Sequence, residues 1–249
     1  MFLSRIVLNP ASTAVRRDTG DCYALHRTIM RAIGHVETGG GKGPRATAGV
    51  LHRLELDRKR GVYVLFVQSE TRPDWSVLPA NYAMPRLPGL PGVSITDLGS
   101  SPDWIREGAL LRFRLKANPT KKTGTTRRDD RLAGKAKNNG KRVPLVGRAA
   151  RLAWLASRAK ISGFEIVRVV DTAPAQMDWD DERGVAAVVD YSFLTTRGFR
   201  KGSTITFKGV TFDGILRVTD LVTFMTAMRT GIGPGKSFGF GLLSVAPVR

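Results

Sequence analysis

Leu3-Ser4-Arg5-Ile6-Val7-Leu8-Asn9-Pro10 and Leu111-Arg112-Phe113-Arg114-Leu115-Lys116-Ala117-Asn118-Pro119 repeat one grammar in the two halves of the chain. Each alternates apolar and polar side chains, the period of a half-buried strand. Each stops at Asn-Pro, because proline has no N–H to extend a ladder. The first run also has a charge inside it and no small-residue cleavage site, so it reads as a strand rather than a signal peptide. A helix is predicted after each strand. In the first half, Leu25, Ile29 and Ile33 recur at helical spacing, Asp21 is a natural N-cap, and Gly34 lies past the end. In the second half the helix is predicted over 147–160, with Leu152 and Leu155 turned to the core beside Trp154.

The remaining elements follow the same order. Strands are predicted at 50–56 and 62–69 around a charged turn at 57–61. Further strands are predicted at 164–170, 185–195, 203–210 and 214–218. Asp220 then caps a helix over 221–229, and a Gly-rich loop leads to a closing strand at 241–248. Pro85, Pro88, Pro91, Gly89, Gly92 and Gly99 make the stretch from Met84 to Ser101 read as a linker or irregular surface. Two α+β domains of the βαββαβ type are therefore expected: residues 1–88, a linker at 89–104, and residues 105–249.

Charge points to the partner. The 249 residues hold 40 Lys and Arg against 21 Asp and Glu, for a net charge of +19. Residues 112–160 carry 16 basic and 2 acidic side chains, so +14 of the excess lies in one segment. That concentration suits a polyanion such as RNA. A membrane surface is disfavoured, because no amphipathic helix pairs this charge with Trp, Phe and Leu. No apolar run approaches a membrane span. A single cysteine, Cys22, allows no internal disulfide. A reducing cytoplasm is the expected location.

The first helix carries Cys22, Tyr23, His26, Arg27 and Arg31. Tyr23, Arg27 and Arg31 fall opposite the apolar stripe, and His26 lies on the flank beside Tyr23. A proton-transfer group beside a phenol and guanidiniums suits phosphodiester cleavage, which needs a base, an acid and cations at phosphorus. The competing reading is an ordinary surface histidine. Cys22 and His26 also stand at i, i+4, but no orienting acid supports a thiol nucleophile. His26, His35 and His52 sit in no metal-ligand pattern, so no metal and no cofactor are expected.

Three basic elements remain. Thr230 to Gly241 nearly matches a phosphate-binding P-loop, but Thr230 replaces its first glycine and the order helix–loop–strand is wrong. The loop reads instead as a cradle for an RNA phosphate, with Gly233, Gly235, Lys236 and Ser237, or as a tight turn feeding a packed strand. Lys121, Lys122, Arg127, Arg128, Arg131, Lys141 and Arg142 form a polar basic stretch. Arg197, Arg200 and Lys201 sit at the turn of a predicted hairpin that can grip structured RNA, or form an ordinary polar turn.

Several of these motifs resemble the CasE family, the CRISPR-RNA-processing endoribonucleases of type I-E systems. They are Ser4 to Ser12, Tyr23-x-x-His26-Arg27-Thr28, Pro73-Asp74-Trp75-Ser76, Leu115 to Pro119, and Gly231 to Ser244. The resemblance implies tandem ferredoxin-like domains of the repeat-associated (RAMP) type. It implies metal-independent cleavage of the repeat hairpin in precursor CRISPR RNA by the upstream 2′-hydroxyl, leaving a 2′,3′-cyclic phosphate and a 5′-hydroxyl. It further implies that the protein stays on the mature crRNA as a Cascade subunit in antiviral defence. By the same resemblance Tyr23 and His26 fall on the active-site pair, and Arg31 on a basic position near it. The rival is a non-catalytic RNA-binding subunit of the same fold.

Overall fold

The two Asn-Pro strands lie at the centres of two antiparallel sheets. The computed structural model describes residues 1–37, 43–85, 91–99, 102–122, 142–167, 193–200 and 203–248, with only the backbone for most of 193–203. In the first half, β1 (Phe2–Val7) is flanked by β3 (Val62–Ser69) and β4 (Val93–Asp97), and β2 (Leu51–Asp57) pairs with β3. The order is β2-β3-β1-β4, every neighbour antiparallel. Two helices, α1 (Thr13–Gly20) and α2 (Cys22–Ile33), join β1 to β2, with the short α3 (Pro44–Thr47) just before β2. Leu25, Ile29 and Ile33 of α2 bury against Ile6, Leu8, Leu65 and Val67 of the sheet. A 3-10 turn, Trp75–Val77, follows β3, and its Trp75 indole donates to Ser4 Oγ at 2.9 Å.

The second half repeats this plan. β5 (Leu110–Ala117) is central, between β10 (Ser203–Val218) and β11 (Leu243–Pro247), and β8 (Phe164–Ile166) pairs with β10. The order β11-β5-β10-β8 matches that of the first half, so the chain is a pair of ferredoxin-like units. The second has the full βαββαβ order, whereas among the described residues the first has only the 3-10 turn Trp75–Val77 where the second helix was expected. α4 (Arg148–Ile161) and α5 (Leu221–Thr230) cover this sheet. Leu152, Trp154, Leu155, Phe224 and Met228 pack on Phe113, Leu115, Phe212 and Leu216. β9 (Phe193–Arg200) runs antiparallel to the first half of β10, with Arg200 opposite Ser203. A small hairpin, β6 (Thr120–Lys122) with β7 (Arg142–Pro144), brackets the basic stretch.

Three sequence expectations are corrected. The segment expected to link the halves carries β4, whose residues 93–97 pair with β1, so the first sheet runs past residue 88. The strands expected at 203–210 and 214–218 are one strand. Gly209 does not interrupt it but makes room for the Phe240 ring, which any side chain there would strike. The α1 helix was not expected; its Ser12 cap accepts from Val15 N–H, and its buried face is little more than Val15 and Asp18. Most of the strand expected at 185–195 lies outside the described residues, as do 168–170 of the strand from 164.

The halves are joined through polar groups. Arg53 of β2, 4% exposed, donates to Leu242 O (3.1 Å), Ser244 Oγ (3.0 Å) and Glu55. Arg114 of β5 bridges the same Glu55 (3.2 Å) to Asp213 of β10 (2.6 Å). Gln68 Nε2 donates to the buried Met228 carbonyl at 2.9 Å.

Candidate active site

α2 begins where it does because the Asp21 carboxylate accepts the Tyr23 N–H at 2.9 Å, and it ends at Gly34 with φ 78°. Helical spacing then sorts its residues. Leu25, Ile29 and Ile33 are buried, Tyr23 and His26 are half-buried, and Arg27 and Arg31 are exposed. The Arg27 guanidinium lies 5.5 Å from the centre of the Tyr23 ring. Tyr23, His26 and Arg27 thus occupy one patch, with Arg31 one turn beyond Arg27.

The C-terminal Gly-rich loop closes on this patch. It carries a 3-10 turn, Lys236–Phe238, held between two left-handed glycines, Gly235 and Gly239. Phe238 stands 6.4 Å from Tyr23, ring centre to ring centre. Gly239 sits against His52 of β2; its φ of 84° is a conformation that side-chain-bearing residues rarely adopt. His52 lies 6.2 Å from His26 with ring planes 18° apart. The loop therefore touches both the tyrosine and the support of the histidine. Lys236 and Ser237 are half-buried within it. Gly233 sits against the Trp154 ring, where a Cβ would come within 2.9 Å.

Charge around the two histidines is one-sided. Burial, then the positive charge of Arg45, pulls His26 down to about 4. Burial, then His26, Lys116 and Arg45, pulls His52 down to about 3. Both imidazoles are therefore uncharged at pH 7. Burial and then Arg53 lower Lys116 to about 8, and burial with Arg45 lowers Lys236. Burial and the neighbouring Asp21 raise Cys22 to about 11, which leaves it a protonated, buried thiol and a poor nucleophile. Among the described residues no group of three His, Cys, Asp or Glu could hold a metal ion.

The remaining candidates fall elsewhere. Lys121, Lys122 and Arg142 are exposed on the β6–β7 hairpin. Arg127, Arg128, Arg131, Lys141 and Lys201 lie outside the described residues, and Arg197 and Arg200 are described only as backbone in β9. Sequence reasoning missed His52, Arg45 and Phe238 as neighbours of the helix. Only His52 left a signal, as an imidazole directly after the apolar pair Val50-Leu51 that opens a strand.

The chain matches a family model described as CRISPR associated protein over residues 1–247. It is 35% identical, over 99% of its length and 100% of the relative's, to the CRISPR-associated endoribonuclease Cse3 of Thermus thermophilus. It is 30% identical to the CRISPR system Cascade subunit CasE of Escherichia coli K12, over 58% of this chain and 61% of that one. The structure of Thermus thermophilus Cse3 bound to an RNA representing a pre-cleavage complex superposes with a TM-score of 0.71 at 33% identity, covering 99% of this chain and 98% of that one.

Proposed function

Because this chain belongs to the CRISPR-associated protein family of these endoribonucleases, we propose that it cleaves the repeat hairpin of precursor CRISPR RNA and stays on the product within Cascade. It is an endoribonuclease whose partners are the precursor, the mature crRNA and the other Cascade subunits. Its place is the cytoplasm; no helix of the described residues is long and apolar enough to cross a membrane.

The observation that carries the catalytic reading is the half-buried, neutral His26 beside Tyr23 at the seam between the helix and the Gly-rich loop. A neutral imidazole takes the proton from the 2′-hydroxyl. The 2′-oxygen then forms its bond to phosphorus as the bond to the 5′-oxygen breaks. The 5′-oxygen leaves as a hydroxyl by taking up the proton that His26 has just accepted, which returns the imidazole to its neutral form, and the cyclic phosphate stays on the upstream fragment. Tyr23 orients the reacting groups with its hydroxyl. Arg27, Arg31 and Lys236 supply positive charge to the phosphorane. No metal is asked for, since nucleophile activation falls to His26.

RNA binding falls to the second unit. The basic segment from Lys121 to Arg142, the hairpin residues Arg197, Arg200 and Lys201, and the loop residues Gly233, Gly235, Lys236 and Ser237 grip phosphates. The test is incubation with the host's repeat hairpin in excess EDTA, with end-group analysis. Cyclic phosphate and 5′-hydroxyl ends are expected. A 2′-deoxy substitution before the break should leave RNA that binds and stays whole. Tight binding of the all-ribose hairpin with no cleavage would assign the chain to the non-catalytic rival.

A further inference from the structure

One cation at the site belongs neither to α2 nor to the Gly-rich loop. Arg45 lies in the short α3, and it is clasped to the start of β2 by both its backbone and its side chain. Its carbonyl accepts the Val50 N–H at 2.9 Å, and its guanidinium Nη1 donates to the Val50 carbonyl at 2.9 Å. Val50 comes two residues before His52, whose ring stacks on that of His26. The clasp therefore fixes both ends of Arg45 close to the histidine pair. It uses one N–H of a guanidinium that carries several, in a fixed planar fork. Arg45 is only half-buried, so the rest of that fork is open to a bound molecule.

A partly buried guanidinium ordinarily faces a carboxylate. Among the described residues Arg45 forms no ion pair, and neither do Lys116 and Lys236. Burial lowers Arg45, and no neighbouring carboxylate offsets that cost. Its charge acts on His26 of α2, His52 of β2 and Lys236 of the Gly-rich loop, so it lies where these three elements meet. Arg27 by contrast lies over the Tyr23 ring, and Arg31 is exposed one turn further on. The open fork of Arg45 is left for an anion from outside the chain. The anion that must come to His26 is the phosphate next to the attacking 2′-hydroxyl.

We propose that Arg45 is a catalytic residue whose guanidinium donates to a non-bridging oxygen of the scissile phosphate and stabilises the charge that grows there as the 2′-oxygen bonds to phosphorus. The inference rests on the reading of His26 as the base at the site of cleavage. Arg45 moves no proton and stays a cation throughout. A donor fixed before the substrate arrives needs no reorganisation during the reaction, which is where such contacts gain their effect.

The test is single-turnover cleavage of the repeat hairpin at pH 8 with saturating enzyme, with the RNA dissociation constant measured separately. At that pH His26 is neutral with or without Arg45, since its ordinary value is about 6.5. A rate loss there cannot come from a change in the charge of His26. Arg45→Met keeps the apolar stem and should slow cleavage about 10²-fold while affinity stays within about threefold. Each phosphorothioate diastereomer at the scissile linkage is then cut in turn. Sulfur at the contacted oxygen weakens the hydrogen bond, so wild type should prefer one diastereomer. Arg45→Met has already lost that contact, and its preference should shrink by at least about threefold. Arg45→Lys keeps a charge but not the fork. It should show a smaller rate loss with the same reduced preference, and it stands in if Arg45→Met does not fold. A preference unchanged in the variants, or absent in wild type, would overturn the inference. So would a full cleavage rate with weakened affinity, since Arg45 would then only anchor the RNA. Those outcomes leave the proposed function standing. If wild type binds the hairpin without cutting it, the proposed function itself fails, and the inference fails with it.

Discussion

At the scale of single residues, the proposed role of His26 as a base depends on surroundings that keep it neutral. Burial and Arg45 both penalise the imidazolium, which puts the group near 4 in the free protein. The apparent second-order cleavage constant, measured with enzyme in excess, reports the free enzyme's groups. It should stay level from about pH 7 down to about 5 and fall as pH drops through about 4. A constant that instead falls as pH rises through that range would make His26 the proton donor. His26→Ala should slow the chemical step by about 10²–10⁴-fold and leave RNA affinity within a few-fold. Full-rate cleavage by that variant would move the site to Lys236 and the Gly-rich loop.

At the scale of elements, much of the fold is legible because its signals are local. The two Asn-Pro strands, the capped helix at Asp21 and the capped helix at Asp220 are each written in a short window, and each is where the pattern puts it. What escapes is set by distant chain. β4 forms between prolines and glycines because β1 offers it an open edge. α1 has no apolar stripe; its Asp18 is buried because Tyr82, 64 residues on, donates to it at 2.9 Å. The unbroken β10 depends on Phe240 filling the place of a side chain at Gly209. The same split divides the candidate site. Tyr23, His26 and Arg27 share one helix and announce themselves by spacing. Arg45, His52 and Phe238 reach them only by folding. The Gly209–Phe240 contact gives a clean test. Gly209→Ala should destabilise the protein by about 1–3 kcal/mol through overpacking. Phe240→Leu in the same chain should recover part of that loss, seen as a double variant more stable in urea than the two single losses predict. Strict additivity would mean that the two positions do not press on one another.

At the scale of the whole molecule, the two units act as one because buried polar groups cross between them, and the same burial makes stability depend on pH. Arg53 is the main stitch: 4% exposed, it serves two groups near the last strand and one carboxylate of its own strand. Arg53→Ala leaves those acceptors without their donor and should cost about 3–5 kcal/mol, read from urea unfolding; a loss below about 1 kcal/mol would show that the halves do not need it. His52 adds the pH term. It is wholly buried among His26, Lys116 and Arg45, all of which disfavour its charged form, and it sits near 3 when folded against about 6.5 when unfolded. Above about 6.5 neither state protonates it, so its contribution is intact. Below that, the unfolded chain takes up a proton that the folded chain refuses, and stability falls until pH nears 3. Between pH 7 and 5.5, before most carboxylates titrate, His52 alone should remove about 1 kcal/mol. His52→Phe fills the same space with a ring that cannot titrate. Its unfolding midpoint in urea should therefore decline less steeply over this interval than the wild-type midpoint, even if the variant is weaker at pH 7. Parallel declines would show that His52 is as easily protonated in the folded protein as in the unfolded chain, and that the cationic, enclosed setting drawn around His26 is wrong.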